Sequence, residues 1–164
     1  MIGVWIRANT GAGVLIDRLD QDLADYKWYV GRKGDFLAFP RRNGVNHLSL
    51  HRVICTRVHG DGGNKLADHV NRDRTDNRRQ NLRWLTMTQS NWNRGPSRKN
   101  VVGYKGVYIQ KNCTRKRFGA LIEVDGKSIH LGGYTTAEAA ARAYDDAARS
   151  FVGEFAYVNF PDGP

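Results

Sequence analysis

Long apolar runs are missing from this chain of 164 residues: it holds no stretch of 18 apolar residues, so nothing in it reads as a membrane-spanning helix. Its N-terminus, MIGVWIRANTGAGVLI, lacks the charged start, apolar stretch and small-residue cleavage site of a secretory signal, and a soluble cytoplasmic protein with no membrane partner is the expectation. Cysteine is scarce. Cys55 and Cys113 stand far apart without a CxxC pairing, which argues against a disulfide framework or a cysteine-built zinc site; both are expected to be small apolar fillers. Acidic residues are outnumbered, 16 Asp and Glu against 26 Lys and Arg, for a net charge of +10. A polyanion is the natural partner of such a chain, and nucleic acid the first candidate.

What is present supports real cores. Hydrophobic residues make up 40% of the chain, enough for one ordinary domain or two small ones. The positive charge peaks in the middle: residues 65 to 99 hold nine basic and three acidic side chains, whereas 1 to 64 hold nine and six, and 104 to 161 hold eight and six. Residues 1 to 46 place GAG, GRKGD and RRNG between the short apolar runs VLI, KWYV and FLAF, the pattern of short strands joined by tight turns. DRLDQDLADY predicts a helical turn or two. RVICTRVHG is a strand end or a short helix carrying Val53, Ile54 and Val58 inward. The segment LADHVNRDRTDNRRQNLRWLT is apolar mainly at Leu66, Val70, Leu82, Trp84 and Leu85, and predicts two short strands around a polar loop.

Asp68 and His69 are adjacent near the end of the first of those strands, Asn81 follows twelve residues after His69, and the amide-rich TMTQSNWNRG closes the segment. A metal-dependent phosphodiesterase needs such a set: an imidazole to deprotonate water, an oxygen ligand for a hard cation, a group to orient the imidazole and a second oxygen ligand from a neighbouring element. An isolated histidine is more often a hydrogen-bonded structural residue, so the set counts, not the pair. LSLHRVI, ADHVNRDRTDNRRQNLRWLT and QSNWNR, spanning about residues 47 to 94, resemble the HNH or ββα-metal nuclease family, in particular its phage and intron-encoded homing endonucleases. Residues 1 to 46 are similar to the N-terminal extension of such phage proteins.

The resemblance implies roles. His69 becomes the general base, Asp68 a ligand of one divalent ion, Mg²⁺ or else Mn²⁺, and Asn81 the residue that fixes the hairpin and the histidine, with Trp84 packed beneath. The family's second ligand, His or Asn, falls nine residues after the middle Asn, and that position here is Ser90; Asn91 is one residue late. One residue on a helix is a rotation of about 100°. Either Asn91 reaches in, or Ser90 leaves a weakened site. His51 is structural or phosphate-facing, and His47, His59 and His130 carry no metal-ligand spacing.

GPSRKNVVG, residues 95 to 103, reads as a basic linker. Beyond it YKGVYIQ alternates, with Val107 and Ile109 inward; FGALIEV and SIHLGGY give two more strands around an Asp125-Gly126 turn. TTAEAAARAYDDAARSF predicts a helix with Thr135 as N-cap, Glu138 completing a capping box, and Ala140, Tyr144, Ala147 and Phe151 facing the sheet. The strand region carries Lys105, Lys111, Arg115, Lys116, Arg117 and Lys127 against two acidic residues, so the sheet is the polyanion-facing side; mixed surface charge for solubility is the bland alternative. YKGVYIQ, FGALIEV, IHLGGYTTAEAAARAYDDAA and YVNFP resemble the Apetala/ethylene-response-factor type DNA-binding domain from Tyr104 to Pro161. That implies a three-stranded antiparallel sheet entering the major groove, backed by a helix. Plant members use Arg and Trp at outward positions, where this chain has Lys105, Tyr108, Gln110, Leu121, Glu123, Ser128 and His130, so the target sequence does not carry over. Gln110 is matched to adenine and Glu123 to cytosine, while Lys105, Lys111, Arg115, Lys116 and Arg117 suit phosphates.

The expectation is therefore an α+β protein: an N-terminal ββα-metal nuclease domain over 1–94 with its core at 47–94, a linker over 95–103, and a sheet-and-helix DNA-binding domain over 104–161. The function expected is a metal-dependent homing endonuclease acting on double-stranded DNA in an infected or bacterial host cell, its oligomeric state open with a monomer favoured. The alternative is a sequence-specific DNA-binding regulator whose nuclease half is weakened or inactive.

Overall fold

The computed structural model describes residues 3–31, 38–39, 48–111, 113, 115 and 117–161. The chain divides into two compact units, Met1–Met87 and Thr88–Pro164. It is a mixed α and β protein in which no helix, among the described residues, is long and apolar enough to cross a membrane.

In the first unit β1 (Gly3–Arg7) and β2 (Gly13–Asp17) form an antiparallel hairpin whose alternation turns Ile6, Val14 and Ile16 inward. The turn runs through Gly11, whose φ of 83° suits glycine. Arg18–Asp25 is 3-10 helical with a kink at Asp20, as DRLDQDLADY foretold. KWYV forms no strand; Trp28 enters the core instead, its indole N–H donating to the Leu23 carbonyl at 2.7 Å. Of the run FLAF only β3 (Ala38–Phe39) is described, paired with β4 (Leu48–Ser49); the rest of residues 32–47, His47 included, lies outside the described residues. RVICTRVHG resolves as helix, α1 (Leu50–His59), which ends at Gly60 with φ 76°. Leu50, Ile54 and Cys55 line its buried face and Val53, half-buried, packs against the same core, whereas Val58, also expected inward, is exposed. β5 (Leu66–His69) and β6 (Leu82–Leu85) pair antiparallel around the polar loop. Ile6, Val14, Ile16, Leu23, Trp28, Leu50, Ile54, Cys55 and Leu82 form one core. Burying each large aliphatic side chain there contributes about 1.5–3 kcal/mol. Burial also pushes the Cys55 thiol up to about 11, which fits an apolar filler.

The helix α2 (Met87–Asn93) belongs, from Thr88 onward, to the second unit. There β7 (Val107–Ile109), β8 (Phe118–Val124) and β9 (Lys127–Tyr134) make a three-stranded antiparallel sheet with a register shift at Ala120/Leu121, and α3 (Ala137–Phe151) packs on it. Val107 and Ala120 meet Ala140 and Ala141; Ile122 meets Tyr144 and Ala148. Gly106, at φ 75°, is required here, because a Cβ would collide with the Tyr144 ring. Three details differ from the sequence reading. The N-cap of α3 is Thr136, whose hydroxyl accepts from the Ala139 amide at 3.1 Å, so Glu138 lies one residue short of a capping box. Phe151 (53% exposed) and Ile109 (43% exposed) sit at element ends, where the packed layers no longer cover them. Their place in the packing goes to the small residues above and to buried Asp145, whose carboxylate accepts from the Asn159 and Phe160 amides and the Asn159 side chain at 2.7–2.9 Å. That carboxylate pins the closing YVNFP segment to α3. The GPSRKNVVG segment is folded into turns by Asn100, which accepts from the Val102 and Gly103 amides and donates to the Tyr104 carbonyl.

Candidate functional site

The polar loop between β5 and β6 has almost no apolar material with which to fold, so side-chain hydrogen bonds shape it. Asp68 and His69 close β5 and point to opposite faces, as consecutive strand residues do: His69 is buried and Asp68 half-buried. The chain then turns through Arg72, at φ 62°, and back to Asn81. Asn81 bridges the loop: its oxygen accepts from the Asn71 amide at 2.9 Å, and its NH₂ donates to Asn71 Oδ1 at 2.9 Å and the Asp76 carbonyl at 2.6 Å. Asp73 caps a further turn through the Thr75 amide and hydroxyl. Arg78 holds Asp76 through two contacts at 2.7 and 2.8 Å and keeps its carboxyl below the usual range.

The side chain that touches His69 is Asn77, fully buried, with its Oδ1 at 3.2 Å from Nε2. The Asn77 NH₂ donates to the Arg74 carbonyl at 2.9 Å, which fixes which end of the amide faces the imidazole. An oxygen there accepts the Nε2 proton and leaves Nδ1 as the unprotonated nitrogen. Burial pulls the imidazole below the ordinary histidine value, against the opposing pull of the Asn77 bond and the Asp68 carboxylate. Asp68 lies opposite Arg83 on β6, whose Nε reaches it at 3.3 Å. The His51 ring lies 5.4 Å from that of His69, and His59 contacts the Leu82 carbonyl through Nε2 at 2.9 Å. Among the described residues no three of His, Cys, Asp and Glu gather into a metal cluster.

Ser90 and Asn91 are successive residues of α2, the first half-buried and the second exposed. The end of this helix is docked within its own unit. Lys105 Nζ donates to the Asn91 and Trp92 carbonyls at 3.3 and 2.5 Å, the Tyr157 amide donates to the Trp92 carbonyl, and the Trp92 indole donates to the Glu123 carbonyl. A cavity of about 520 Å³ lies beside these contacts, lined among others by Trp92, Arg94, Lys105, Glu123 and Tyr144.

On the sheet, the register places Tyr108 opposite Gly119, Leu121 opposite His130 and Glu123 opposite Ser128. One face therefore gathers Tyr108, Leu121, Glu123, Ser128 and His130, with Ile122, Ile129 and Leu131 on the other. Tyr108 lies across Gly119, where a Cβ would strike its ring, and its ring reaches within 6.3 Å of His130. Gln110 continues from β7, its amide donating to the Arg117 carbonyl. Lys111, Arg115 and Arg117 are exposed between β7 and β8, while Lys116 lies outside the described residues.

Residues 49–91 match the family described as HNH endonuclease. The match takes in 43 of the chain's 164 residues. An uncharacterized HNH endonuclease of Acanthamoeba polyphaga mimivirus is similar at 28% identity over 139 residues, 84% of this chain and 68% of that protein. In the C-terminal region the chain is similar to an AP2-like ethylene-responsive transcription factor of Arabidopsis thaliana, 44% identical over 70 residues. An APETALA2-like protein of Oryza sativa subsp. indica is 45% identical over 67 residues. These alignments take in 43% and 41% of this chain but only 14% and 15% of the plant proteins. No solved structure matches the chain.

The HNH match runs through α2 to Asn91, although by contact most of that helix groups with the sheet module. The docking of Trp92 explains why. Within the HNH domain, sequence reading passed over Asn77 and Arg79. Their signal was present in the DN pair and the last arginine of NRDRTDNRRQN, but a run so rich in polar side chains offers no period by which to tell a partner of His69 from a loop cap.

Proposed function

We propose that the chain is a metal-dependent DNA endonuclease of the homing type, with an HNH domain that cuts and a C-terminal sheet module that places the cut. The observation that carries this reading is the buried His69, whose Nε2 faces the fixed oxygen of Asn77, inside the stretch that matches the HNH family. In this reading His69 Nδ1 takes a proton from water. The hydroxide formed attacks phosphorus, the P–O3′ bond breaks, the departing 3′ oxygen takes a proton from solvent water, and the strand ends are a 5′-phosphate and a 3′-hydroxyl. The lowered proton affinity of His69 keeps it in the base form at neutral pH. Asn81 acts by holding the loop.

The donor chemistry fits Mg²⁺. One carboxylate, Asp68, with an uncharged oxygen from Ser90 or Asn91 is a poor set for Zn²⁺ but suits a hard cation that keeps several waters and takes a substrate phosphate. When bound, such an ion supplies Lewis-acid stabilisation of the phosphate and the departing 3′ oxygen. The assignment of Ser90 or Asn91 rests on spacing from Asn81. The domain limits proposed are 1–94, 95–103 and 104–161. Double-stranded DNA is the partner, with Tyr108, Gln110, Glu123, Ser128 and His130 toward bases and Lys105, Lys111, Arg115, Lys116 and Arg117 toward phosphates. Ser90 in the ligand slot favours the second reading, a DNA-binding regulator with a weakened nuclease half.

A supercoiled plasmid library with randomised inserts separates them. The full chain with Mg²⁺ nicks or linearises a subset of plasmids whose inserts share a motif, and leaves all intact with chelator. A chain that enriches a motif by binding but cuts none of its plasmids is a regulator.

A further inference from the structure

The hairpin of β1 and β2 shares its core with α1 and β6, so residues 3–17 are built into the nuclease unit rather than appended to it. One edge of β2 pairs with β1; its other edge reaches the polar loop. There the Leu15 amide donates to the Thr75 carbonyl and the Asn77 amide donates to the Leu15 carbonyl, both at 2.7 Å, as a parallel bridge across Asp76. These two bonds fix the backbone of the residue whose side chain faces His69. Two residues on, Asp17 accepts from the Arg79 amide at 2.7 Å. Asp20, fully buried, takes the Arg79 guanidinium through Nε at 2.8 Å and Nη2 at 3.0 Å, and also Arg57 at 3.1 Å. The stretch 75–79 is thus gripped at both ends by Leu15, Asp17 and Asp20, and Asn77 lies between the grips.

We infer that the N-terminal segment 13–20 is a brace that positions His69 through Asn77. Asn77, Asp17 and Arg79 are on this account positioning residues for the base, and the inference rests on the nuclease reading only for the use to which His69 is put. A carboxamide oxygen held in one place keeps the proton on Nε2 and the ring in one orientation. If the brace loosens, the imidazole samples other orientations and proton transfer slows, while DNA and metal are still bound elsewhere on the chain.

The test uses the full chain and two readouts: steady-state cleavage of a plasmid target, and the slowly exchanging Nε2 proton of His69 by NMR. Asn77→Leu, nearly isosteric but without an acceptor, lowers kcat by about 10²-fold, within the range of general-base contributions, leaves KM within about twofold, and abolishes the protected proton. Asn77→Asp, which restores an acceptor oxygen, recovers both. Asp17→Ala lowers kcat about tenfold and speeds exchange of the same proton, and Asp17→Asn recovers it. Should Asn77→Leu fail to fold by circular dichroism, Asp17→Ala against Asp17→Asn decides. Wild-type kcat and an unchanged protected proton in Asp17→Ala overturn the brace. A chain that cuts no DNA but loses the protected proton in Asn77→Leu and Asp17→Ala contradicts the nuclease reading and leaves the brace standing.

Discussion

The two units bury polar groups differently. In the first, Asp17, Asp20, His69, Asp76, Asn77 and Asn81 are all buried, the last four bonded within the polar loop and the first two holding that loop through Arg79. In the second, the core is small and apolar, and its buried carboxylate, Asp145, ties a chain terminus to a helix. On the proposed function, the difference follows from what each must present. A site that orients an imidazole needs side chains held from several directions, and a loop of polar residues reaches that only through a satisfied network. A binding face needs only a rigid sheet with side chains on its outer side, and an apolar core of Ala, Val and Ile stiffens it. Changes in the first unit therefore disturb geometry, and changes on the outer face of the second disturb affinity.

The largest blow to that contrast is Asp20→Ala. It strands the Arg79 guanidinium and leaves Arg57 with Asp22 alone, and denaturant unfolding should show a loss of about 3 kcal/mol, toward the lower end for a broken buried pair because both arginines are partly exposed. Asp145→Ala tests the buried carboxylate of the second unit: it leaves three donors of Asn159 and Phe160 unmet and should cost about 2–3 kcal/mol in the same measurement. Acid sharpens the comparison. The Asp76 carboxyl is held below its ordinary value of 3.8 by Arg78, so it lends stability above that value and withdraws it as pH falls through the folded-state value. Stability measured from neutral pH down past 3.8 should fall more steeply for wild type than for Asp76→Asn. On the sheet, Arg115→Gln and Arg117→Gln should each weaken DNA binding about equally across sequences and reduce the salt slope of the affinity by about 1, with unfolding unchanged. Thr136→Ala, removing the α3 cap, should cost about 1 kcal/mol by thermal denaturation.

Much of the fold was legible. The strands of the sheet module and the hairpin around the polar loop follow from alternation and turn residues, because there local pattern and burial agree. Misses fell where local pattern and tertiary packing part. Thr135 and Thr136 are both competent caps, and only the strand exit chooses between them; Phe151 keeps helical period but lies past the edge of the sheet. At the candidate site, Asp68, His69 and Asn81 stood out by spacing. Asn77 did not, because its role depends on Leu15, 62 residues earlier by chain order, meeting the loop edge on. Position counting along one segment cannot reveal a bond whose other half comes from a different hairpin.

The most direct test of the account compares wild type with His69→Ala on a supercoiled plasmid carrying a selected target, with DNA binding measured alongside. Wild type nicks or linearises the plasmid with Mg²⁺ and stops with chelator, and His69→Ala binds with unchanged affinity but cuts at least about 10²-fold more slowly. A wild type that grips the target yet leaves every plasmid intact, or a His69→Ala protein that cuts as fast, contradicts the account.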